Sequence, residues 1–117
     1  MLTIDALRAY GANVEEGLER CMNMEPFYLK VVGMLKDDVD GSFERLKAAM
    51  AARDTRAAFE AAHALKGSTG NVALTPVSKP VSALSDMLKG RPDMVMDDAC
   101  DRLANEVFEQ YERLKAL

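Results

Sequence analysis

Only one histidine and two cysteines occur in the 117 residues of this chain. Cys21 and Cys100 lie far apart and form no C-x-x-C pattern. That leaves no thiol signature for zinc or redox chemistry and points to buried free thiols in a reducing cytoplasm. No apolar run approaches the roughly 18 residues a membrane-spanning helix needs, and no charged start with an apolar centre marks a secretory signal. Basic side chains are not in excess either. The net charge is −4 with both signs interspersed, so the electrostatic footprint of a nucleic-acid binder is missing. Alternating β-branched runs long enough to build a sheet are likewise missing. These absences predict a cytoplasmic protein with neither nucleic acid nor membrane as partner.

What is present is helical periodicity. At 49% hydrophobic, a chain of this length can bury one core without staples, and the eight methionines read mostly as core filler. Thr3 caps a short helix ending before Gly11. Asn13, with Glu16 three residues on, opens a second short helix to about Met22 in the manner of a capping box. Pro26 suits the first turn of a long helix to about Ala52, with Val32, Leu35, Val39, Phe43, Leu46 and Met50 at steps of three and four. Gly33 and Gly41 weaken this stretch and admit a kink near Asp37–Gly41. A turn at Ala51-Ala52-Arg53-Asp54 leads into a helix from about Thr55 to Gly70. Leu74, Val77, Val81, Leu84 and Leu88 then form another apolar stripe. Pro76 fits a first turn, whereas Pro80 either kinks that helix or sets its true start near Ser78–Pro80. After Gly90-Arg91-Pro92, a last helix from about Asp93 carries Met96, Cys100, Leu103, Val107 and Leu114 inward. The expected fold is all-α: one domain over residues 1–117, with short helices in 1–24 and an up-and-down antiparallel four-helix bundle over about 25–117. Both termini look like natural helix ends, so the chain is expected to stand alone, as a monomer.

The lone histidine sits in Ala62-His63-Ala64-Leu65-Lys66-Gly67-Ser68-Thr69-Gly70. With about 100° of rotation per residue, Ala58, Ala61, Ala62, Leu65 and Thr69 share a narrow apolar stripe. His63 falls far round from it, in a band with Arg56, Phe59, Lys66, Gly67 and Gly70. Each helical glycine costs up to about 1 kcal/mol relative to alanine, so these two call for a compensating role. Imidazole, with an ordinary pKa of about 6.5, offers an unprotonated ring nitrogen as nucleophile at neutral pH. Lys66 is one turn along the same surface, within reach of a group carried on His63. Gly67, four residues on, lies against the ring, where any Cβ would obstruct an incoming partner. Ser68 and Thr69 carry less weight, because hydroxyls near helix ends often bond the backbone instead. Phe59 reads equally as a docking residue and as a rim residue of the core.

The string His-x-Leu-Lys-Gly-Ser-x-Gly resembles the phospho-accepting motif of histidine phosphotransfer (HPt) domains, the relay modules of two-component signalling. The resemblance is most specific over Ala61–Gly70 and extends loosely from about Glu25 to Leu117. It implies a four-helix bundle in which His63 carries a phosphoryl group and trades it with an aspartate of a receiver domain. Lys66 would be the charge partner of the phosphoryl oxygens. Phe59, Gly67, Ser68 and Gly70 would form the partner-binding face. The partners implied are response-regulator receiver domains, a sensor histidine kinase, or both. The chain itself would be a phosphocarrier without cofactor or metal, Mg²⁺ belonging to the receiver, and it has no ATP-binding kinase segment. In relatives the next helix often carries a glutamate after its leucine and a side chain that bonds the imidazole. Here Leu84 is followed by Ser85 and Asp86, the two candidates for orienting the ring, and Ala73 stands where glycine is frequent. Two other readings compete. A helical module could dock receiver or kinase domains without accepting phosphate. A di-metal carboxylate bundle, prompted by Glu60-x-x-His63, needs that pair twice, and no second histidine exists.

Overall fold

The structure, a computed structural model, describes residues 2–117. Among the described residues there are seven α-helices and no strand: α1 (Ile4–Tyr10), α2 (Val14–Arg20), α3 (Glu25–Asp38), α4 (Asp40–Ala52), α5 (Thr55–Asn71), α6 (Thr75–Leu88) and α7 (Asp98–Lys115). α4 to α7 form the bundle. α5 packs most extensively on α6 and α4, α6 on α7, and α4 closes the ring against α7. The α4–α5 and α5–α6 links are only two and three residues long, which forces antiparallel neighbours. Leu46, Leu65, Leu74, Leu84, Val107 and Leu114 are fully buried in the shared core. No helix among the described residues is long and apolar enough to cross a membrane.

The two caps read from the sequence, Thr3 and Asn13, are in place, and Asp54 at the turn before α5 adds a third. Thr3 accepts from the Ala6 N–H at 3.0 Å, Asn13 from Glu16 at 3.3 Å, and Asp54 from Ala57 at 3.1 Å. α1 and α2 cover one end of the bundle. Asn13 N–H donates to the Ala73 carbonyl at 3.0 Å, the Tyr10 hydroxyl donates to the Gln110 carbonyl at 3.2 Å, and Tyr28 reaches the Val72 carbonyl at 2.9 Å.

Four boundaries differ from expectation. α2 stops at Arg20, two residues early, because Met22 and Asn23 adopt left-handed φ of 57° and 55°. The long helix from Glu25 divides into α3 and α4 at Val39, inside the stretch where a kink was admitted. Its hydrogen bonds continue across the break, Val39 N–H to Leu35 and Phe43 N–H to Val39, both at 3.0 Å. α6 starts at Thr75 and runs through Pro80, so a start near Ser78–Pro80 is excluded. The proline ring faces the core, where burial offsets the missing hydrogen bond. The last helix begins at Asp98 rather than Asp93, because Asp97 caps it by accepting from the Cys100 N–H at 3.1 Å. Residues 91–97 form a loop instead, pinned where the Thr55 hydroxyl donates to the Met94 carbonyl at 2.8 Å.

Candidate functional site

Arg53, held in the left-handed region at φ 57°, ends α4, and Asp54 starts α5 immediately. α5 is clamped between α4 and α6 by Ala58, Ala61, Ala62, Leu65 and Thr69, all buried. Small side chains let the neighbouring helices approach closely, and together they fix the rotation of α5 about its axis. His63 is therefore forced outward and stands exposed in mid-helix. Its ring stacks on Phe59, one turn earlier, with centroids 5.4 Å apart and planes 24° apart. Phe59 is half-buried and also packs on the core, so it ties the imidazole to the body of the bundle.

Lys66 follows one turn later, and its Nζ lies 3.0 Å from Oδ1 of Asp86 on α6. A Cβ built at Gly67 or Gly70 meets no atom within 4 Å outside the helix's own backbone. The fold itself thus has no packing reason for glycine at either position. Together they leave a strip of bare backbone beside the imidazole. At its far end the Gly70 carbonyl accepts from Arg20 of α2 at 2.6 Å. On the other side of Phe59 a groove of about 320 Å³ opens between Arg56 and Arg91, floored by Leu88.

The two hydroxyls in the motif turn to the backbone. Ser68 donates to the Ala64 carbonyl at 2.8 Å and Thr69 to the Leu65 carbonyl at 2.7 Å. Ser85 is buried, whereas Asp86 is exposed. Neither makes a hydrogen bond to His63 among the described residues, and Asp86 is spent on Lys66 instead. The structure therefore brings Phe59, His63, Lys66, Gly67 and Gly70 onto one face and leaves Ser85 beneath it.

The family model of the Hpt domain matches residues 30–116, from within α3 to the end of α7. The chain belongs to the Hpt domain family. Comparison with curated proteins and with solved structures finds no match. Hpt domains are helical bundles that serve histidine phosphotransfer in phosphorelays. They are phosphocarriers, not kinases, and they interact with receiver domains and kinases of two-component systems. Three features of this Hpt domain lay beyond its sequence. The Lys66–Asp86 pair joins residues twenty positions apart on different helices. Arg20 reaches Gly70 across fifty positions, and Arg91 enters the groove from the α6–α7 loop. Only α5 carries a local signal, because its site residues share one helix.

Proposed function

We propose that His63 is the phospho-acceptor of this Hpt domain, receiving a phosphoryl group from a receiver aspartate or a kinase and passing it to another receiver. The observation that carries this reading is the joint placement of the chain's one histidine. It is exposed, braced on Phe59, one turn from a lysine and beside two glycines that the fold does not need. In the transfer the unprotonated ring nitrogen forms the N–P bond while the acyl-phosphate O–P bond breaks. The electron pair leaves with the receiver carboxylate, and the other ring nitrogen keeps its proton. Because the transition state is loose, catalysis is mainly positioning and charge stabilisation. This chain supplies the nucleophile, the Lys66 charge and the approach over Gly67 and Gly70. The receiver supplies its acidic pocket and Mg²⁺, so no cofactor is assigned here. A monomer meeting its partner through a modest, transient interface fits this role, as does a cytoplasmic location.

The test is phosphoryl transfer from a phosphorylated receiver domain to wild type and to His63→Gln. Acid-labile, base-stable label on wild type alone is the expected outcome. A folded wild-type protein that takes no label from any receiver would refute the acceptor role and leave a docking module.

A further inference from the structure

The carboxylate that holds the site's lysine makes no hydrogen bond to the imidazole among the described residues. Asp86 projects from α6, and its Oδ1 holds the Lys66 ammonium at 3.0 Å. Both side chains are substantially exposed, 41% for Lys66 and 63% for Asp86, so the pair is accessible to exchange rather than locked in the core. Lys66 is also the sole cation one turn C-terminal to His63 on its face, since position 67 is glycine and position 70 is glycine. A dianionic phosphoryl group on His63 would compete with one carboxylate for this one ammonium.

We infer that Asp86 is a positioning residue that acts through Lys66, serving as a resident counter-ion that the phosphoryl group must displace. While His63 is free, Asp86 occupies Lys66. When the N–P bond has formed, Lys66 turns to the phosphoryl oxygens and Asp86 is released to solvent. Part of the lysine's attraction for phosphate is thereby cancelled, which keeps the phosphohistidine high enough in free energy to be passed on. The pair sets the balance between holding and releasing the phosphoryl group. This inference rests on His63 being the acceptor. It assigns Asp86 a task distinct from orienting the ring.

The size of the effect follows from the exposure of the pair. Solvent-exposed ion pairs of this kind are worth between about 0.2 and 1 kcal/mol, a factor of about 1.5 to 5 in an equilibrium constant. The test uses potassium phosphoramidate as donor on the full chain. In that reaction the donor's P–N bond breaks, its already protonated nitrogen leaves as ammonia with the bonding electron pair, and the N–P bond forms on the ring. At fixed donor and ammonia concentrations the ratio of phosphorylated to free protein is measured for wild type, Asp86→Asn, Lys66→Gln and the double variant. Asp86→Asn is expected to raise the ratio about 1.5- to fivefold when Lys66 is present and to have almost no effect in the Lys66→Gln background. Asp86→Glu, which restores a carboxylate, is expected to return the ratio toward wild type. The difference between wild type and Asp86→Asn shrinks in high salt, as screening of an exposed pair requires. An equal rise in both backgrounds would mean that Asp86 repels the phosphoryl group directly, and an unchanged ratio would mean that the pair is inert; either overturns the inference while leaving the acceptor role standing. Label that persists in His63→Gln, or no label on wild type, overturns the acceptor reading and the inference with it.

Discussion

Replacing Gly67 separates what the fold wants from what the site wants. Gly67 lies in the interior of α5, exposed, with no atom within 4 Å of the place where a Cβ would stand. Gly67→Ala therefore adds helix propensity without steric cost, a gain of about 1 kcal/mol. For a chain of this size that raises the thermal midpoint by roughly 3 to 6 °C, read by circular dichroism. A longer side chain, Gly67→Gln, keeps much of this gain but fills the strip beside the imidazole. If it displaces the incoming receiver by about 1 Å, transfer slows on the order of a hundredfold, read as the rate of label transfer from a phosphorylated receiver. A more stable protein that relays more slowly is the expected pair of results. Loss of stability in Gly67→Ala would show that the glycine serves the fold. Wild-type transfer in a stable Gly67→Gln would show that no partner approaches there.

Three further outcomes are expected. Gly17→Ala places its new carbon 2.5 Å from the ring of the fully buried Tyr28. Overpacking of about 1–3 kcal/mol, less the gain of about 1 kcal/mol from alanine, leaves a net loss of up to about 2 kcal/mol in urea unfolding. Burial pushes the Tyr28 phenol up to about 12, so the folded state holds this proton more tightly than the unfolded chain, which releases it near 10. Its contribution is complete below pH 10 and is lost as the pH rises from about 10 toward 12. Denaturation midpoints across that range should fall less steeply in Tyr28→Phe, and an unchanged slope would contradict this. Leu65→Ala, a fully buried side chain under the site, is expected to cost about 2–5 kcal/mol in the same unfolding assay.

The parts of the fold that were legible in the sequence are those written into single helices. The alanine-rich stripe of α5 is buried throughout, because a period of 3.6 maps spacing directly onto a face. The caps at Thr3 and Asn13 were legible because each bond spans three residues, whereas Asp54, which caps α5 in the same way, read only as part of a turn. The break at Val39 was visible only as a weakness, since a helix that keeps its hydrogen bonds leaves no gap in apolar spacing. Met22 carried no signal of left-handed backbone, and Asn23, which tolerates that region, carried only a weak one. Met96 extends the apolar spacing of α7 while lying in the loop before it, and only the Asp97 cap fixes where α7 starts. The candidate site divides in the same way. Its α5 residues follow from local spacing, whereas the partner of Lys66 depends on how α6 is rotated, which no short window encodes.

The glycine strip also bears on discrimination between partners. A surface of bare backbone offers main-chain atoms common to all proteins, so it sets no side-chain test for what rests on it. With a partner docked over the strip as proposed, selectivity falls to the border, where Arg20 sits at one end and Phe59, Arg56 and Arg91 at the other. On that proposal, substitutions along the border are expected to shift transfer from one receiver to another without touching His63 or Lys66.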